Sequence, residues 1–174
     1  MALTLAVDQI QPAGASYVSW EGVPTGMPLA INVISSATRT SLSAVAGASV
    51  AFSGSFTKLR SDTVLRATCT VFGAGYYSGN CAVGVVLDYG VNTRWDYGCA
   101  YQYDGQWSST AQTTMVMGHH QWSSVSAGSH TIGFGWNPAD SSTNRPFAYL
   151  NPNSSDDSRN NQMVSRIVVY EVYP

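Results

Sequence analysis

Charge is scarce in this chain: Asp, Glu, Lys and Arg make up 10% of its 174 residues, against roughly 25% in an average soluble protein. Ser, Thr, Asn, Gln and Gly must therefore cover most of the outside. Lysine is nearly missing, with Lys58 alone, and the formal net charge is −2. No basic cluster exists to neutralise a run of phosphates, which argues against nucleic acid as a partner. Few lysines also leave sheet edges without their usual protection against pairing with other chains, so such edges are expected to be hidden in an assembly.

Long apolar runs are lacking too. Met1 to Ile10 has neither the basic start nor the apolar stretch of a secretory signal, and nothing approaches the ~20 apolar residues of a membrane span. No membrane insertion is expected. Cysteine is sparse and odd in number, Cys69, Cys81 and Cys99, without the CxxC spacing of zinc or redox pairs. The three read as small buried apolar side chains, with a Cys81–Cys99 bridge as the open alternative.

The inventory for catalysis is equally thin. Glu21 and Glu171 are the only glutamates, and a paired-carboxylate glycosidase would have to draw on the scattered Asp88, Asp96 and Asp104. Signatures such as GxSxG, HExxH or a phosphate loop are absent. His119 and His120 are adjacent, so on a strand they face opposite ways and cannot easily share a metal. They read as exposed imidazoles in a turn after Gly118, and His130 as the start of a strand running to Trp136. Asp140, Asp156 and Asp157 lack the spacing of a calcium loop and read as solvated. The expectation is a protein that is not an enzyme, with no catalytic residue, no metal and no cofactor.

Alternation with period two is what the sequence has in quantity. Val50, Phe52 and Phe56 share one face against Ala51, Ser53 and Ser55. Leu65, Ala67, Cys69 and Val71 alternate with Val64, Arg66, Thr68 and Thr70. Cys81 to Tyr89 is apolar on both faces, as in a central strand or one covered by a neighbouring subunit. Thr113, Met115 and Met117 make another set, and Ile132, Phe134 and Trp136 alternate with Thr131, Gly133 and Gly135, whose glycines flatten one face. The β-branched run Val164 to Val172 should lie inside a sheet. Strands separated by Gly, Asn, Ser and Pro turns, with no helix-length amphipathic segment, predict an all-β antiparallel sandwich of jelly-roll type.

Two segments break the rhythm. Residues 11 to 31 carry Pro12, Gly14, Gly22, Pro24, Gly26 and Pro28 and read as an extended arm. Residues 137 to 162 are rich in Asn, Ser, Asp and Pro, a long connection in which Phe147 to Leu150 can form a short strand. The predicted organisation is an extended N-terminal arm and first strand over 1–40, followed by the jelly-roll sandwich over 41–174. Aromatics cluster at Trp95, Tyr97, Tyr101, Tyr103 and Trp107 among Asp96, Gln102, Asp104 and Gln106. Rings flanked by amides and carboxylates suit sugar stacking or a protein interface, and alternate rings also suit plain core packing.

The segment Gln121-Trp122-Ser123-Ser124-Val125-Ser126-Ala127-Gly128-Ser129-His130-Thr131-Ile132, followed by Gly133-Phe134-Gly135-Trp136, resembles a motif of virion proteins from tailed phages, notably those of actinobacteria. The closing Ser165 to Val172 resembles the last strand of the same proteins. Their domains are similar to trimeric jelly rolls of the complement and tumour-necrosis-factor type. The resemblance spans roughly residues 45 to 174 and implies a scaffold more directly than an activity.

What it implies is a phage virion structural protein, a minor tail or tail-tip protein forming a homotrimer, made in the host cytoplasm and placed on the particle exterior. Its partners would be copies of itself, other virion proteins and a host cell-surface glycan. A capsid decoration protein, with residues 11 to 31 laid across the shell, is the alternative within virions. A carbohydrate-binding module using the aromatic cluster is the alternative from another class.

Overall fold

A computed structural model describes residues 27–43, 45–74, 81–101, 113–138, 145–153 and 163–174. Within these, the side chains at 97–101, 113, 114 and 116 fall outside the description. The described residues form strands and their turns, with no helix: β1 (Pro28–Ser36), β2 (Thr40–Ser41), β3 (Ser49–Lys58), β4 (Val64–Ala74), β5 (Cys81–Leu87), β6 (Arg94–Tyr101), β7 (Thr113–Trp122), β8 (Gly128–Pro138), β9 (Tyr149–Leu150) and β10 (Ser165–Val172).

Two antiparallel sheets result. In the first, β10 lies between β1 and β4. Because β7 pairs with the same stretch of β4 that β10 does, the two must occupy opposite edges of β4, giving the lane order β1-β10-β4-β7. The short β9 pairs with Gly73 and Ala74 beyond the end of β10, and β2 pairs with β9. The second sheet runs β3-β8-β5-β6. Successive long strands cross between the sheets except at the β5–β6 hairpin, and the first and last strands are neighbours. This is jelly-roll wiring, and it satisfies the expected fold class.

The pleat explains the core. On β4, Leu65, Ala67, Cys69 and Val71 point inward and are all buried; they meet Val83, Val85 and Leu87 of β5, Ile132, Phe134 and Trp136 of β8, and Ile167 and Val169 of β10. The sheets also touch at their sides, β1 against β3 and β6 against β7. Phe147 drops from the connection before β9 and stacks on Phe134 with ring centroids 6.3 Å apart. That contact pins the described stretch before β9 to the core, and β9 is the short strand anticipated there.

Three local expectations need correction. The register slips between Val50 and Phe52, a bulge that sends Val50 to the outer face over Gly133 while Ala51 and Phe52 pack on the core; an extra residue in one strand inverts the alternation on one side of it. The anticipated arm does not reach Ile31, because Pro28 to Ile31 are already paired with β10. Residues 1–26 lie outside the described residues. Finally, Gly118 does not open a turn: β7 runs through it to Trp122.

Candidate functional site

The outer face of the first sheet follows from the register. One row across it reads Val33, Val168, Thr68, His119; the next reads Ile31, Tyr170, Arg66, Gln121; a third reads Ser35, Arg166, Thr70, Met117. The middle lanes carry Arg66, Thr68, Thr70, Arg166, Val168 and Tyr170, and the outer lanes mix aliphatic side chains with Ser35, His119 and Gln121. Ile31 and Val33 on β1 are 58% and 60% exposed, and Met115 and Met117 on β7 are 53% and 58% exposed. These four apolar side chains stand open to solvent as two pairs on opposite outer lanes.

A cleft of about 720 Å³ lies on the same side, lined by Arg66, Thr68, Asp96, His119, Gln121 and Tyr170, and reaching Ala67 and His120. Arg66 donates from Nε to Gln121 Oε1 at 3.1 Å, which holds both side chains along one wall. The two histidines part as strand geometry requires. His119 faces out and is exposed, whereas His120 turns into the sandwich and is 4% exposed. The expected pair of solvent-exposed imidazoles is thus wrong for His120, since the turn that would have exposed it is part of β7.

His120 sits at a junction of the two sheets. Its Nε2 lies 3.7 Å from Cys69 Sγ on β4, its ring stacks on Trp122 at 6.0 Å, and its Nδ1 lies 3.3 Å from Asp96 Oδ2 on β6. That last contact is close enough for an ion pair, yet Nδ1 has no hydrogen-bond partner. Burial lowers the pKa of His120 below the ordinary imidazole range; Asp96 pulls it back up, and His119 pushes it down further. The net result favours the neutral ring.

Of the aromatic cluster, Trp95 is described. It lies on the outer face of the second sheet, where its ring would stand 2.8 Å from a Cβ at Gly135; only glycine leaves room for it. Tyr89 meets it edge-on at 6.0 Å and donates its hydroxyl to Ala48 O at 3.1 Å. Tyr97 and Tyr101 are on β6 with side chains outside the description, and Tyr103 and Trp107 lie outside the described residues altogether. So do Asp104, Asp140, Asp156 and Asp157.

Sequence reasoning missed the link of Cys69, His120 and Asp96. The available signal was Gly118 two places before His120, a vacancy on the inner face of an otherwise regular strand. Among the described residues, no three His, Cys, Asp or Glu side chains cluster in a way that holds a metal by themselves. No protein-family model matches the chain, and no curated protein matches it.

Proposed function

We propose that this chain is a structural subunit of a tailed-phage virion that assembles with copies of itself, as a trimer, through the outer face of the β1-β10-β4-β7 sheet. One observation carries the reading: Ile31, Val33, Met115 and Met117 stand open to solvent on the two outer lanes of that face. Burying four such side chains against a neighbour contributes several kcal/mol, at about 25 cal/mol per Å² of apolar area. The partner is another copy because the chain as a whole carries little charge to steer a charged partner, and closed symmetric assembly covers both outer lanes at once. The jelly-roll wiring and the paired first and last strands agree with the phage-protein resemblance. Within the virion, the reading is a minor tail or tail-tip protein.

The test is mass in solution. The purified chain should run at three times its monomer mass of 18.6 kDa, and Val33→Asp combined with Met117→Asp should give a folded monomer. A wild-type monomer at micromolar concentration overturns the proposal. Antibody labelling of particles then separates tail from head.

A second reading, glycan contact, is favoured by Trp95 and Tyr89 on the opposite sheet, which assembly through the first sheet would leave facing outward. A glycan array with Trp95→Ala as control decides it: saturable binding lost in the variant supports contact, and no binding removes it.

A further inference from the structure

His120 leans back over Gly118 on the inner face of β7. A Cβ built at Gly118 would stand 2.6 Å from His120 Nε2 and 3.2 Å from Cys69 Sγ, so glycine leaves the room in which the ring lies. One nitrogen is closed in by β4 and β7: Nε2 lies 3.7 Å from Cys69 Sγ, and the side chain is 0% exposed. The other points across the side of the sandwich, where Nδ1 lies 3.3 Å from Asp96 Oδ2 without a hydrogen-bond partner. Asp96 pairs with Val85 and so stands on the inner side of β6. Among the described residues, β7 ends the first sheet on this side and β6 ends the second. His120 and Asp96 therefore bridge a seam between two edge strands.

This arrangement selects one tautomer. A carboxylate beside Nδ1 favours a proton there, which leaves Nε2 to accept from the Cys69 thiol. A second proton must then go to Nε2, where it displaces the thiol hydrogen and faces sulfur, a weak acceptor. Asp96 offsets the new charge from the far side of the ring, but its side chain is 37% exposed and shared with water. Burying the imidazolium is costly, and hydrating it requires the ring to leave its seat. The other charged or titratable groups described nearby are His119, facing out from β7, Arg66, tied to Gln121 on the outer face of β4, and Arg94 of β6, which donates to the Ser124 carbonyl at 3.3 Å. All are cations or become cations, so none stabilises a charged His120. Burial accordingly holds its pKa below 6.5, with Asp96 drawing it up and His119 drawing it down.

We infer that His120 is an acid-released latch on the β6–β7 seam: on taking a proton the ring leaves Cys69 for water, and β7 lifts away from β6 around Gly118 to Trp122. Histidine is the side chain whose charge changes in the range such a device needs, and edge strands are segments that open without the whole domain unfolding. Between the lowered pKa and 6.5 the open form holds a proton that the closed form has not taken, so the closed form loses stability as pH falls through 6.5. One proton raises the open population by up to about tenfold per pH unit, and the rise levels off below the pKa of the closed form. The latch goes beyond the assembly reading and needs no partner chain.

The experiment is hydrogen exchange of the full-length protein at one concentration from about pH 7.5 to about pH 5, with each rate corrected for the intrinsic pH dependence of amide exchange. Below pH 6.5, protection of β7 should fall by up to about tenfold per pH unit while the middle of β5 and β8 holds. His120→Gln, which cannot take the proton, should make β7 protection flat with pH, whatever its level. His119→Gln and His130→Gln should keep the wild-type slope. A proton NMR titration of wild type reads the ring without any variant: His120 should titrate with a midpoint below 6.5, and Asp96→Asn should lower that midpoint further. The inference is overturned if wild-type β7 protection does not change with pH, if His120→Gln keeps the slope, if β5 and β8 open together with β7, or if the His120 midpoint lies at or above 6.5.

Discussion

Lys58 and Glu171 face each other at one end of the sandwich, Nζ 4.0 Å from Oε1, with side chains 0% and 2% exposed. One closes β3 and the other is near the end of β10. Glu171 accepts hydrogen bonds from the backbone of Leu59 at 2.7 Å and of Arg60 at 2.8 Å, and from Thr63 Oγ1 at 2.6 Å. Lys58 donates to Thr63 Oγ1 at 2.7 Å and to the Arg60 carbonyl. The carboxylate thus organises the whole β3–β4 turn. Glu171→Gln strands a buried ammonium and should cost about 3–5 kcal/mol of unfolding free energy. Lys58→Met leaves three donors on the carboxylate and should cost less, about 1–2 kcal/mol. Urea unfolding of the two variants checks the order; equal losses would mean that the turn does not depend on the carboxylate.

The same pair sets a pH dependence. Burial lowers the pKa of Lys58 below its ordinary 10.5, and the carboxylates of Glu171 and then Asp62 draw it back. Between the lowered value and 10.5 the unfolded chain holds a proton that the folded chain has released, so stability rises with pH across that window. Below the window both states are protonated, and the cost of burying the ammonium is fully present. The difference in unfolding free energy between wild type and Lys58→Met should therefore shift in favour of wild type as pH climbs toward 10.5. A difference that stays flat from neutral pH upward would contradict this.

The strands were legible because their signal is local. Alternate residues of β4 are apolar, and those same residues, Leu65, Ala67, Cys69 and Val71, fill the core. The two-sided apolar run of β5 indicated an interior strand, and β5 lies between β8 and β6. What could not be read depends on register between distant strands. Nothing near Gly118 says that it pairs with Cys69, and nothing near His120 says that Asp96 of the other sheet will lie at its ring. In β7 the apolar alternation even points the wrong way: Met115 and Met117 face solvent, while Gly118 and His120 belong with the inner side. The bulge after Val50 is likewise set by pairing with β8.

Gly73 should tolerate no side chain. A Cβ there would run into the ring of Phe147, which is 1% exposed and stacked on Phe134. Gly73 also pairs with Leu150 on one edge and Thr114 on the other, so the backbone cannot step aside. Gly73→Ala must push Phe147 off its seat, and overpacking of this kind costs about 1–3 kcal/mol. Gly73→Ala together with Phe147→Leu should recover part of the loss, since the smaller side chain yields the space. Thermal unfolding of the single and double variants measures the coupling; strictly additive losses would show that the two positions do not compete for the same volume.

Asp88 follows β5 with φ of 53°, a left-handed conformation that Asp and Asn enter at low cost. Its carboxylate bonds the Thr131 N–H at 3.0 Å and meets His130 Nδ1 at 2.8 Å, while His130 Nε2 lies 2.9 Å from Ser126 O. The backbone carbonyl of Asp88 in turn accepts from Val91 and Asn92. One residue therefore ties the β5–β6 hairpin, with Tyr89 and Val91 exposed at its tip, to the start of β8. Asp88→Asn keeps the backbone conformation and one acceptor, whereas Asp88→Ala loses both acceptors and strains the turn. The loss should be about 2–3 kcal/mol for alanine and roughly half that for asparagine. Hydrogen exchange at the Val91 and Asn92 amides should accelerate in the alanine variant while amides in the middle of β4 change much less. If the two sets accelerate together, the hairpin opens only with the whole domain, and Asp88 is not a local clamp.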